Sequence, residues 1–311
     1  MSGGVITVFP FVNRRRLVAA LVLCVTAAVA SVCPGRAQPV SPHPCESPKT
    51  LRFALVPAQD SLRELAYYQP VLDLLAKNTG RNVDIVLPES YSALVDALVD
   101  KRVDVAVLGP ESYVIAHERD RDIEVFATYW RQSDGIQKAG PGYQSVLITK
   151  KGSRFTSIDS LKGATLALVD PASTSGAMIP AKVFPRERQL PPLQRYFHKV
   201  IFSGGHDLSA LAVAEGRIDA AFVASYRLME AVNAGKVKLA DYNVLWASPQ
   251  IPLDPFVRRA SLCEDIKRSV ADTFLTADQT ELGRKYLNSI RSERIVQMVD
   301  SDYNIIRIVG K

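Results

Sequence analysis

Metal-ligand clusters are missing from this chain. Its four histidines, His43, His117, His198 and His206, are scattered, with no two at ligand spacing. Metal sites of the zinc type need ligands at short, regular separations, so a metal centre is not expected. There is no G-x-S-x-G turn to expose a nucleophilic serine and no glycine-rich loop ending in Gly-Lys-Ser/Thr. No Lys/Arg cluster is interleaved with aromatic residues, which argues against nucleic-acid binding. No internal repeat appears, and the one biased tract is the Pro-rich "QPVSPHPCESP". Beyond the N-terminal region no segment is apolar enough to cross a bilayer, which takes roughly 20 residues. Neither catalysis nor a cofactor is expected from these residues.

What is present begins at the N-terminus. "NRRRLVAALVLCVTAAVASVCPGRAQ" has a basic run (Arg14, Arg15, Arg16), an apolar core over 17–32, and small residues before "GRA". That is the layout of a secretory signal peptide, 1–37, with cleavage expected after Ala37. The Arg run is compatible with a twin-arginine route, but ordinary secretion fits the layout better. The leader carries four Arg and no acid, so of the chain's 38 basic and 32 acidic residues 34 and 32 remain, a net charge of about +2. Cys45 and Cys263 survive cleavage. In an oxidising compartment two leftover thiols invite a disulfide; two free thiols are the alternative, because sequence alone does not give their separation.

The part after residue 37, about 274 residues, suffices for two units of ordinary domain size. Apolar runs such as "LRFALVP", "NVDIVLP", "VDVAVLG" and "IEVFATYW" alternate with helical patterns over 61–78, 91–101 and "ESYVIAHERD". At "GPGYQSVLITKKGS" the character shifts to a Gly/Pro hinge, and a second series follows: "ATLALVD", a helix after Gly176, "HKVIFSGG", a helix over 206–215, "IDAAFVA" and a helix over 226–233. After "YNVLWASPQIPLDPFVRR" the chain reads as helical to near its end, around 263–276 and 279–290. Strand–helix alternation with nearly continuous apolar strands predicts an α/β fold with parallel sheets covered on both faces. We expect a Pro-rich leader over 38–50, one lobe from 51–142 plus 252–311, a second from 143–251, and a cleft between them.

The stretch "DPASTSGAMIPAKVF" stands at the end of one such strand. One hydroxyl is enough to cap a helix; Ser173, Thr174 and Ser175 supply three, and Gly176 lets the backbone approach closely. A helix N-terminus carries roughly half a positive charge and unpaired N–H groups, which suit a tetrahedral oxyanion. Gly204-Gly205-His206 repeats the arrangement at a second strand-to-helix turn, where His206 has a hydrogen bond or a charge to donate. A plain helix cap is the alternative at both turns. Hydroxyls that bind an anion are not thereby nucleophiles.

Together "DPASTSG", "GGHDLSALAVAEGRID", "PGYQSVLI" and "SPQIPLDPFVRR" resemble, in order and spacing over about 51–259, the phosphonate-binding proteins of bacterial ABC transporters, within the wider phosphate/phosphite/phosphonate periplasmic family. The resemblance implies a type II periplasmic-binding fold with a two-strand hinge, a monomer, a periplasmic location, one small oxyanion in the cleft and a permease as partner. It also implies that Tyr91 and Tyr143 reach the ligand through their hydroxyls and that Asp254 faces its organic end. In the aminoethylphosphonate-binding form a Glu of the second lobe helps to hold the ammonium; the corresponding position here is Tyr226, which supplies no charge. Exported proteins of this fold also serve as sensing partners of membrane histidine kinases, a second reading that the residues leave open. Arsenite sensing through a cleft cysteine is not expected, since neither Cys45 nor Cys263 lies in a cleft motif.

Overall fold

The computed structural model describes residues 44–56 and 61–310. The signal peptide expected at 1–37 and the first part of the Pro-rich leader lie outside the described residues. Thirteen strands are described: β1 (Thr50–Ala54), β2 (Asn82–Val86), β3 (Val105–Val107), β4 (Ile123–Arg131), β5 (Gly142–Tyr143), β6 (Ser145–Lys150), β7 (Thr165–Leu168), β8 (Lys199–Phe202), β9 (Ala220–Ala224), β10 (Tyr242–Ala247), β11 (Ile251–Pro252), β12 (Pro255–Arg259) and β13 (Ser292–Gln297). They form a six-stranded sheet, β13-β4-β12-β3-β1-β2, and a five-stranded sheet, β10-β6-β9-β7-β8. The chain leaves the first sheet through β5 and returns through β11, and these two short strands pair antiparallel, Tyr143 opposite Ile251 and Gly142 opposite Pro252.

The helices are α1 (Ser61–Thr79), α2 (Tyr91–Val99), α3 (Pro110–Arg119), α4 (Ile179–Lys182), α5 (Phe184–Arg188), α6 (Leu193–Tyr196), α7 (His206–Ala214), α8 (Ser225–Asn233), α9 (Glu264–Leu275), α10 (Glu281–Ser289) and α11 (Asn304–Gly310). In β3 and β9 every residue is buried, so both faces of each sheet are covered where these strands run. Helix α1 packs against α9 and α10 beside the first sheet, and α7 packs on β6 and β9 of the second. Phe53 stacks on Phe274, which Phe256 meets at a tilt, in the core of the first sheet, and Phe184, Phe222 and Trp246 meet edge to face in the second.

Three expectations need correction. The sheets are mixed, not parallel: β1 runs parallel to β2 and β3, and β7 to β8 and β9, but β12, β13, β6 and β10 pair antiparallel. A continuous apolar run reports burial on both faces, which a central strand has in either direction. The chain end is not purely helical, since β13 lies between α10 and α11. Its burial pattern places only Ser292 and Ile295 inside, and pairing with β4, rather than apolar alternation, makes it a strand.

The helix expected after Gly176 is broken into a π-helical turn (Thr174–Met178), then α4 and α5. Pro180 has no N–H for the Gly176 carbonyl, which accepts from the Val169 amide instead, at 2.9 Å. The Met178 amide reaches back five residues to the Ser173 carbonyl at 3.0 Å, the wide turn that often marks functional positions.

Cys45 and Cys263 are joined by a disulfide, their Cα atoms 4.8 Å apart. It fastens the segment before β1 to the turn that opens α9.

Candidate functional site

Seven segments meet between the two sheets, and most lie just beyond the carboxyl end of a strand. They bring Tyr91 (first residue of α2), Gly109 (before α3), 173–176 (after β7), 204–206 (after β8) and 224–226 (after β9). Tyr143 comes from the crossover ribbon and Asp254 from the residue before β12. Helices α3, α7 and α8 begin at Gly109, Gly205 and Ala224 without a side-chain cap. The Glu111 amide of α3 and the Ser225 amide of α8 find partners elsewhere in the chain, Thr174 Oγ1 at 2.7 Å and the Gln144 carbonyl at 2.9 Å, while the positive ends of all three helices still point toward the cleft.

Ser173 performs the cap that sequence alone allowed: its Oγ accepts from the Gly176 amide at 3.2 Å. Gly176 is the residue the turn requires. An added Cβ there would lie 2.4 Å from Val169 Cγ2, against a stiff β-branched side chain. Thr174 reaches across to the other sheet, where its Oγ1 accepts from the Glu111 amide in the first turn of α3 at 2.7 Å. That leaves its own hydroxyl hydrogen to donate. Ser112 makes a second crossing contact, Oγ to the Ala172 carbonyl at 2.8 Å. A Cβ built on Gly109 would stand 3.7 Å from Tyr91 Cε1 and 3.8 Å from both Ser112 Oγ and Thr174 Oγ1, so three polar side chains converge on one small space.

Tyr143 links this cradle to the other half of the site. Burial, and then the Asp254 carboxylate, raise its pKa, while hydrogen bonds with Ser175 and Thr174 pull the other way; the phenol stays protonated. Its ring meets Tyr226 edge-on at 5.2 Å. The Tyr226 hydroxyl donates to Asp254 Oδ2 at 2.6 Å. Two guanidinium groups flank the Tyr226 ring, Arg131 at 4.4 Å and Arg227 at 5.2 Å from its centroid. Both also pair with Glu230, at 2.8 Å and 3.2 Å.

His206, the first residue of α7, is buried and neutral. Its Nδ1 accepts from the Ala224 amide at 3.1 Å, so the remaining ring proton is on Nε2. Burial, and then the Arg227 charge, lower its pKa to about 3. Of the two roles expected of His206, a hydrogen bond or a charge, its surroundings fit the first: it brings a neutral N–H donor. Asp254 moves in the opposite sense. Burial raises it from 3.8 to about 6, against the pull of Arg227, the Tyr226 hydroxyl and Arg131.

This shift has a testable sign. The folded protein holds the Asp254 proton more tightly than the unfolded chain does, so stability falls as pH rises from 3.8 through 6, and above that the full penalty is present. A shift of that size corresponds to about 3 kcal/mol. Asp254→Asn, which keeps an oxygen for Tyr226, should accordingly be more stable than the wild type at pH 8, and the gain should vanish near pH 4. Urea unfolding at the two pH values checks this; an equal gain at both would reject the assignment.

Sequence reasoning did not single out Ser112, Arg131 or Arg227. The stretch "VLGPESY" has the same strand–glycine–helix form as the two turns that were singled out, and was legible on that ground. Nothing local marks Arg131 at the end of β4 as a neighbour of Tyr226. Among the described residues there is no group of three or more His, Cys, Asp or Glu that would hold a metal ion, and no helix is long and apolar enough to cross a membrane.

Two mixed α/β sheets joined by a crossover ribbon, with helix N-termini meeting between them, are the architecture of the type II periplasmic-binding proteins. The family described as "ABC transporter, phosphonate, periplasmic substrate-binding protein" matches residues 53–303, and the chain belongs to it. It is 26% identical over 96% of both chains to the phosphate-import protein PhnD of Mycolicibacterium smegmatis. It is 30% identical to the phosphonates-binding periplasmic protein of Escherichia coli, over 76% of this chain and 69% of that one. Among solved structures, a binding-protein component of an ABC phosphonate transporter from Pseudomonas aeruginosa superposes with a TM-score of 0.77 at 25% identity, covering 85% of this chain and 86% of that one. PhnD1 of Prochlorococcus marinus, solved with methylphosphonate, shares the fold with a TM-score of 0.75 at 20% identity, over 85% and 98%.

Proposed function

We propose that this protein captures a small tetrahedral oxyanion of the phosphonate, phosphite or phosphate class between its two sheets and delivers it to the permease of an ABC importer. The observation that carries the reading is the convergence of protonated donors on helix N-termini whose own N-cap residues make no side-chain cap. Thr174, Ser175, Tyr143 and the Nε2–H of His206 all donate without bringing a net charge. Ser173 and Gly176 hold the turn in shape, Tyr91 and Ser112 close the cradle from the other side, and Asp254 is left to accept from a protonated ligand oxygen. Oriented neutral donors in a buried site bind an anion without a compensating ion pair. The same set offers no activated nucleophile, since neutral His206 already spends Nδ1 on the Ala224 amide, and the reading is of binding without catalysis.

We take 51–142 with 252–311 as one lobe and 143–251 as the other, moving about the ribbon of β5 and β11. The Thr174–Glu111 and Ser112–Ala172 contacts belong to the closed arrangement. Export through the leader ending at Ala37 would place the protein in the periplasm, where it works as a monomer.

Thr174→Ala tests the cradle, because it removes both a ligand donor and a contact between the lobes. One hydrogen bond to a charged group is worth roughly 1.5–3 kcal/mol, so binding of phosphate, phosphite or methylphosphonate should weaken by about one to two decades. Calorimetry on wild type and variant decides: equal affinities would put the oxyanion elsewhere.

A further inference from the structure

Between β4 and β5 the chain forms a short arm. Arg131 and Gly140 exchange backbone hydrogen bonds, both at 2.9 Å, and Asp134 and Gln137 do the same at 2.9 Å and 2.8 Å. The result is a hairpin with Gly135 and Ile136 as its two-residue turn. Gly135 takes the positive φ (+53°) that such a turn needs at its first position. The arm is rooted beside the first sheet, where the Gln132 amide donates to the Arg291 carbonyl at 3.0 Å. Its tip lies on the second. Ile136 packs against the apolar core of that sheet, and a Cβ added to Gly135 would lie 2.7 Å from Met229 Cε of α8.

Gln137 is 3% exposed and its amide is committed at both ends. Its Nε2 donates to the Gly142 carbonyl of β5 at 2.9 Å, and its Oε1 accepts from Ser225 Oγ, at the start of α8, at 2.6 Å. Asp134 stands where the two sides meet. Its Oδ2 accepts from Asn233 of α8 at 2.6 Å and pairs with Arg291, before β13, at 3.4 Å. The arm, α8 and the turn over 288–291 line a cavity of about 280 Å³. Solid protein interiors have few voids of that size, so the tip is gripped by its polar contacts and has room to shift.

We propose that this arm is a clasp on the hinge side that favours the closed arrangement, whether or not a ligand is present. Gln137 fixes its root to the crossover ribbon and to α8, and the tip over 134–136 is the part that lets go when the cleft opens. Neither Asp134 nor Ile136 belongs to the oxyanion set, so the clasp acts on the fraction of molecules that is closed and not on the fit of the anion. An apparent dissociation constant is the intrinsic one divided by the competent fraction. Loosening the tip should therefore weaken every anion by one common factor. The effect on affinity rests on the oxyanion reading of the cleft; the effect on shape does not.

Asp134→Ala and Ile136→Ser test it, singly and together, with methylphosphonate and inorganic phosphate as probes. Calorimetry on the double variant should show both anions weakened by about threefold to tenfold, the scale of one net hydrogen bond, with their ratio kept. Stopped-flow fluorescence should assign the change to faster release, where most affinity differences between related complexes lie. Small-angle scattering without ligand should give the double variant a larger radius of gyration than the wild type. An altered ratio between the two anions would place the arm's influence inside the cleft and overturn the proposal. Unchanged release rates, with or without a lowered melting temperature, would reduce the arm to a structural brace, and equal radii would equally reject the clasp. Should the double variant not fold, Asp134→Ala alone decides by the same readings. If the wild type binds neither anion, the oxyanion reading of the cleft fails, and the ligand-free radii alone judge the clasp.

Discussion

Replacing Cys45 and Cys263 together by alanine is expected to lower the stability of the oxidised protein by about 3–5 kcal/mol, the upper part of the range for a native disulfide. The bond closes a loop spanning 218 positions of sequence, nearly the whole described chain. In the chain-entropy account the restriction on the unfolded ensemble grows with the logarithm of loop length, and here it approaches its practical limit. The native side adds to this. Glu46 exchanges backbone hydrogen bonds with Ser261 and Cys263, at 2.8 Å and 2.9 Å, and its carboxylate pairs with Arg259. Arg259 is 3% exposed and has Asp104, itself fully buried, as its other carboxylate partner at 3.2 Å. If the segment before β1 detaches, a buried guanidinium loses one of two acids, which is a costly loss. Urea unfolding of the double variant, and of the wild type with and without reductant, measures the effect. Two free thiols in the purified, air-oxidised protein would remove the premise.

The parts of the site that sequence exposed are those in which chemistry is concentrated in a few adjacent residues. Ser173, Thr174 and Ser175 stand together because one turn carries them, and Gly204-Gly205-His206 likewise. The position after each strand was legible because an apolar run ends there. What one position tells about another forty or more residues away was not legible. The amide of Glu111 bonds Thr174 across 63 positions, and Arg131 lies against Tyr226 from the far end of β4. These neighbours are chosen by how two sheets face each other, and no local period encodes that. Strand direction was misread for the same reason: β6 and β12 are as apolar as parallel strands and are buried in the same way, yet they run against their neighbours. The π-helical turn was written in Pro180, but its consequence depends on the Val169 amide being in place to take the Gly176 carbonyl. Tyr226 shows the reverse case. The departure from the acid that the resemblance implies was visible in one letter, whereas the two arginines that brace its ring were not.

Those arginines sharpen the expectation about ligand choice. 2-Aminoethylphosphonate should bind this protein about tenfold to a hundredfold more weakly than methylphosphonate. An ammonium taken out of water needs acceptors that are not already committed. Among the described residues the carboxylates nearest Tyr226 are those of Asp254 and Glu230, and each is at least partly engaged. Asp254 Oδ2 accepts the Tyr226 hydroxyl at 2.6 Å, and Glu230 is shared by Arg131 and Arg227. Asp254 is moreover raised to about 6, so below that pH it carries little charge to offer. An ammonium would face a phenol braced by two guanidinium groups where another acid would be needed, and one missing charged partner is worth roughly 1.5–3 kcal/mol. Arg227→Gln tests the cause apart from the ring. It should weaken every oxyanion, because a nearby cation is lost, and yet bring 2-aminoethylphosphonate closer to methylphosphonate. It should also raise the pKa of His206, whose depression owes part of its size to that charge. A thermal-shift series reads the ranking, since a ligand bound to the folded state raises the melting temperature with RT ln(1 + [L]/Kd). If 2-aminoethylphosphonate gives the largest shift in the wild type, the arginines do not set the choice. If Arg227→Gln weakens both phosphonates by the same factor, Arg227 acts on the anion alone and the discrimination lies with the Tyr226 ring.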